Sequence, residues 1–144
     1  MVEKLKRELI LALKEKDTVK VSTLRMLLSE VKNAQIDKPD FNDADFIGVV
    51  FKSAKKRKES IAAFKKAGRV DLVEKEEKEL DILSKYLPQQ MNAQELEKIV
   101  REAVDEMGAS SMADFGKVMG NIMQKVKGKA DGNDVQMAVK QALS

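Results

Sequence analysis

Apolar residues return every three or four positions along almost the whole chain, and no stretch sustains the alternation of a strand. That period commits the chain to helices, and its turn residues divide it. Val2, Leu5, Leu9 and Ala12 mark one face of a first helix that ends at the charged break Lys14 to Asp17. Asp17 or Thr18 caps a second, which carries Val21, Leu24, Leu28 and Val31 and stops before Pro39, because the residue preceding a proline is pushed out of helical geometry. Asn42, with Asp45 three positions on, opens a third helix that runs to Ala67, where Gly68 can close it. Asp71 and Glu74 resemble a capping box for a fourth, which ends at Tyr86-Leu87-Pro88 and should return antiparallel to the third. Beyond Pro88 the spacings shorten. Asn92 with Glu95, Ser111 with Asp114, and Asp131 with Asp134 open three shorter helices, with stops at Gly108, Gly128 and past Ala142.

The expected architecture is all-α. Residues 1–90 should form an N-terminal helical bundle of about four helices, and 91–144 a small C-terminal three-helix domain. With aromatics at 4%, packing must rest on Leu, Ile, Val, Ala and Met.

The chain has no cysteine and no histidine. That removes thiol chemistry, disulfides, the commonest metal ligands and the commonest general base. A Ser–Lys or carboxylate pair is the remaining catalytic option, and no spacing singles one out. No carboxylate cluster has metal-ligand spacing. We therefore expect no catalytic residues, no metal site and no cofactor. The apolar run Leu9 to Leu13 is too short to span a membrane and is closely flanked by charges, so no membrane association is expected and the default location is the cytoplasm.

Charge is unevenly spread. Lys52, Lys55, Lys56, Arg57, Lys58, Lys65, Lys66 and Arg69 face a single acid, Glu59, and the next helix answers with Asp71, Glu74, Glu76, Glu77, Glu79 and Asp81. A hairpin neutralising itself across exposed edges is preferred over an RNA groove. Within it, Arg57 falls on the apolar seam of Ile47, Val50, Ala54, Ile61 and Phe64, and Glu76 falls on the seam of Val73, Leu80, Leu83 and Leu87. An ion pair of Arg57 with Glu76 or its neighbour Glu77 is expected, with fixing of register as its main effect.

The C-terminal part differs in chemistry. Met112, Phe115, Val118, Met119, Ile122, Met123 and Val126 give the sixth helix a broad apolar face, and Gly116 and Gly120 are read as sites of close helix packing. Met107, Met112, Met119, Met123 and Met137 could instead form an adaptable surface for a partner. Lys125, Lys127 and Lys129 surround Gly128 just before a helix N-terminus, a setting suited to phosphate. It is no Walker A loop: Met123 stands where the first glycine would be, Ala130 replaces the magnesium-binding hydroxyl, and a helix precedes it. Composition alone favours a plain helix stop and cap with solvated lysines.

Several strings in order resemble the GatB/YqeY family, and specifically its free-standing YqeY-like members. They are Leu24-Arg25-Met26-Leu27, Phe64-Lys65-Lys66-Ala67-Gly68-Arg69, Tyr86-Leu87-Pro88-Gln89-Gln90, Gly116-Lys117-Val118-Met119-Gly120 and Lys127-Gly128-Lys129-Ala130-Asp131-Gly132. The resemblance spans nearly the whole chain. It implies an all-helical fold and kinship with the C-terminal tail of the GatB component of the tRNA-dependent amidotransferase. That enzyme, a carbon–nitrogen ligase with glutamine as amido donor, uses the tail to help hold tRNA while other domains do the chemistry. The implied function is a tRNA-binding accessory without activity of its own. An amidotransferase or aminoacyl-tRNA synthetase is the implied protein partner, and no DNA specificity is expected. The resemblance shifts the lysine turn towards phosphate contact, and charge and spacing then single out Lys117, Lys125, Lys127 and Lys129. The alternative is a protein-interaction module that uses the Met-rich face without RNA.

Overall fold

A computed structural model describes all residues from Met1 to Ser144 and contains seven α-helices, one short 3-10 turn and no strand. The helices are α1 (Val2–Glu15), α2 (Thr18–Asp37), α3 (Asp43–Lys66), α4 (Val70–Ser84), α5 (Ala93–Met107), α6 (Phe115–Val126) and α7 (Gly132–Leu143). The all-α expectation holds. The chain divides into two compact units, Met1–Leu87 and Pro88–Ser144. No helix is long and apolar enough to cross a membrane.

In the first unit, local chemistry sets most helix ends. The Asp17 side chain accepts the Lys20 N–H at the start of α2, and Asn42 with Asp45 forms a complete capping box for α3. The start of α4 differs from the expectation. Gly68, at φ +69°, closes α3, and the Arg69 N–H bonds back to the Phe64 carbonyl. The turn is so tight that α4 begins at Val70 with Arg69 as an N-cap lacking a side-chain bond, so Asp71 lies inside the first turn and pairs with Arg69 at 3.5 Å. The buried core draws Leu5 and Ala12 from α1, Leu24, Leu27 and Val31 from α2, Phe46, Val50 and Ala54 from α3, and Leu83 from α4. Tyr86 completes it. Its ring tilts against Phe46 with centroids 6.2 Å apart, its hydroxyl donates to the Glu8 carboxylate, and the Lys4 ammonium lies 5.7 Å from the ring centroid. Burial and the neighbouring carboxylate push the Tyr86 phenol pKa well up, so it remains a donor.

The second unit is built on one rule. Each of its helices supplies three buried residues: Leu96, Val100 and Ala103 from α5, Val118, Ile122 and Val126 from α6, and Val135, Val139 and Leu143 from α7. Asn92 and Glu95 form a capping box for α5, and Gly108 ends that helix at φ +64°. The Ser111 side chain accepts the Ala113 N–H above the 3-10 turn, so the expected start near Ser111 is a tighter turn leading into α6. The reading of Gly116 and Gly120 as packing sites is corrected. A Cβ at either would meet nothing within 4 Å, and both are exposed. The reason is rotational: at about 100° per residue they lie roughly opposite the buried stripe of Val118 and Ile122.

Candidate nucleic-acid interface

The outer face of α6 is stripped of side chains at Gly116 and Gly120, with Lys117 between them and Lys127 and Lys129 exposed beyond the helix end. The turn that follows is held in place from several directions. The Val126 carbonyl accepts the N–H groups of Lys129 (2.8 Å) and Ala130 (3.2 Å), while Gly128 is buried at φ +79°. From the segment ahead of α5, the Met91 N–H donates to the Lys129 carbonyl at 2.9 Å and the Gln90 side-chain amide to the Gly128 carbonyl at 2.7 Å. The sequence marks Gln90 only as part of the family-resembling string Tyr86-Leu87-Pro88-Gln89-Gln90, and nothing in that string points to this contact. With its carbonyls consumed inward, the turn displays the two flanking lysines outward. Gly128→Ala should destabilise the unit by about 1 kcal/mol through left-handed backbone strain. A melt of the variant that matches the native one would show that the turn relaxes freely.

Not every expected lysine is equally available. Lys125 lies 3.9 Å from Glu106 in an exposed pair, whereas Lys117, Lys127 and Lys129 form no salt bridge. The start of α7 also differs from a phosphate cradle. The Asp131 carboxylate accepts the Asn133 N–H at 2.9 Å, and Asp134 occupies the first turn. The chain's own acids therefore neutralise the positive helix end, and an incoming phosphate would be met by ammonium groups instead.

The methionines differ in exposure. Met119 and Met123 are half-buried against the core, while Met107, Met112 and Met137 are exposed at 39%, 46% and 62%.

In the first unit, Arg57 Nε sits 3.2 Å from Glu79 and 3.6 Å from Glu76, and its guanidinium also donates to the Met26 sulfur. Glu77 faces Lys65 instead, at 3.8 Å on the exposed edge. Glu79, which the sequence places among the answering acids but not opposite Arg57, lies three residues after Glu76 on the same helix side. Burial raises its pKa, the Glu76 charge adds to this, and Arg57 opposes it. Ser53 donates to Glu30 at 3.3 Å in the same α2–α3 seam. No group of three acidic, histidine or cysteine side chains anywhere could hold a metal ion.

A family model described as Yqey-like protein matches residues 2–143. Among curated relatives, the protein named altered inheritance of mitochondria protein 41, mitochondrial, of Vanderwaltozyma polyspora is 35% identical over 131 residues, covering 84% of this chain and 70% of its own length. The protein of that name in Pyrenophora tritici-repentis is 30% identical over 133 residues, covering 90% of this chain and 73% of its own. That of Saccharomyces cerevisiae is 30% identical over 128 residues, covering 84% and 69%. These names overturn the expectation of a cytoplasmic location, since the relatives are mitochondrial by name. That expectation rested on one N-terminal run, and the residues that build a folded helical unit carry no compartment signal of their own.

Proposed function

The chain belongs to the YqeY-like protein family, and from that premise we propose that it is a tRNA-binding accessory to glutamine-dependent amidotransfer, holding RNA while the chemistry proceeds on another polypeptide. The observation that carries this reading is the face of α6 and its following turn. Lys117 stands on α6 between two glycines that leave the helix bare, Lys127 and Lys129 follow beyond the helix end, and none of the three has a carboxylate partner, so a sugar–phosphate backbone running along the helix can approach closely. Lys125, loosely paired with Glu106, contributes less than its neighbours. The resemblance to the amidotransferase tail supplies the tRNA and the association with a carbon–nitrogen ligase.

Binding to total tRNA should weaken steeply with salt, because each phosphate contact releases counterions. The variant Lys117→Ala/Lys127→Ala/Lys129→Ala should flatten the log–log salt slope by about 2 to 3 units, at roughly 0.7 to 0.9 for each phosphate no longer neutralised. An unchanged slope rejects this site, and no binding by the native chain at low salt rejects the function.

One observation favours a protein partner instead, namely the exposure of Met107, Met112 and Met137. A partner that is retained after nuclease treatment and released by Met112→Asp or Met137→Asp would support that reading over RNA. Met119 and Met123 are unsuitable for the test, since they pack against the core.

A further inference from the structure

The first unit carries an open cleft between α1 and α2 that its own fold does not fill. Leu13, Lys16, Thr18, Val21, Ser22 and Arg25 line a volume of about 460 Å³. Leu13 is 46% exposed, and Ile10, on the adjoining turn of α1, is 53% exposed. The lining is apolar at Leu13 and Val21, has cations at Lys16 and Arg25, and contains no carboxylate.

A second observation concerns Lys16, the only non-glycine residue in the protein with positive φ, at +59°. It ends α1 in the left-handed conformation that glycine adopts without cost, while the Asp17 N–H bonds to the Ala12 carbonyl. A lysine here adds strain and places an ammonium beside the cleft. Strain of this kind is commonly retained where a side chain is needed for recognition.

We infer that this cleft docks an acidic amphipathic helix of a protein partner. Charge complementarity selects the partner: its apolar stripe seats on Leu13 and Val21, and flanking carboxylates meet Lys16 and Arg25. The cleft lies between two helices, whose backbone groups are bonded internally, so it has no sheet edge to extend. The incoming segment must therefore satisfy its own backbone, which a helix does. No aromatic side chain lines the cleft for bases to stack on, and that disfavours single-stranded RNA as the occupant.

The test uses the full chain and a synthetic helical peptide of about twenty residues, long enough to hold helix, with leucines on one stripe and glutamates beside them. Fluorescence anisotropy should show saturable binding. Lys16→Glu/Arg25→Glu should weaken it at least about tenfold, and a peptide with lysines for glutamates should bind that variant in place of the native chain. Lys52→Glu/Lys56→Glu, on the separate basic face of α3, should leave binding unchanged. Lys16→Gly should raise Tm by a few degrees through relief of strain and still weaken binding. Equal losses from the α3 and cleft variants would reduce the effect to general charge and overturn the inference. So would binding that survives Lys16→Glu/Arg25→Glu, or loss of tRNA binding, in place of peptide binding, in that variant.

Discussion

Arg57→Met is expected to destabilise the Met1–Leu87 unit by about 3 kcal/mol, the loss typical when one member of a buried ionic cluster is removed. The side chains of Arg57, Glu76 and Glu79 are only 15%, 16% and 10% exposed, so little water can take the place of the guanidinium. Methionine keeps most of the volume, and the cost therefore falls on two carboxylates left facing each other. Replacing the cluster as a whole, by Arg57→Met/Glu76→Met/Glu79→Leu, should recover most of the loss, since no buried charge then remains. Urea denaturation of the two variants separates these outcomes.

The pH dependence has a definite sign. Glu79 binds its proton more tightly when folded than its ordinary value of 4.5 would indicate. The folded state therefore holds more protons than the unfolded state between that value and the raised one. Stability from this group is greatest below the window and falls as pH rises through it. Without Arg57 the opposing influence is gone and the window extends upward. The Arg57→Met deficit should accordingly be smaller in acid than at neutral pH. An equal deficit at both would assign the loss to the packing of the arginine stem.

Ile122→Ala is expected to cost the second unit about 3 kcal/mol, from lost burial and the cavity left behind. Ile122 is fully buried, and each helix around it supplies only three core residues. A unit this small has little stability to lose. Amide hydrogen exchange should show α5, α6 and α7 losing protection together, while the core amides around Leu24 and Phe46 retain theirs. Loss of protection spread evenly over both units would show that they unfold as one.

Much of the fold was legible because its signals are local. An apolar residue every three or four positions, a cap with its acid three residues on, and a glycine past the last turn all act within a few residues. Asn42 with Asp45 and Asn92 with Glu95 could be read in this way. The start of α4 could not, because the closing bonds at Gly68 and Arg69 left the turn too short for a side-chain cap.

The candidate interface was legible as a composition of lysines and glycines, but its geometry was not. Spacing alone pointed to Gly116 and Gly120 as contact sites, and the buried stripe of α6 rotated them outward. Gln90 reaches across to the Gly128 carbonyl, and nothing local to either residue announces that bond.

The sequence by itself determined that the chain is helical, where most of its helices stop, and that it lacks histidine and cysteine. Tertiary structure decided which acid faces Arg57, which lysines stay unpaired, and that a cleft beside a strained Lys16 remains open. The physical reason is the range of the interactions involved. Helix period and caps are settled by neighbours along the chain, whereas pairing and exposure depend on how helices from distant segments turn their faces towards one another.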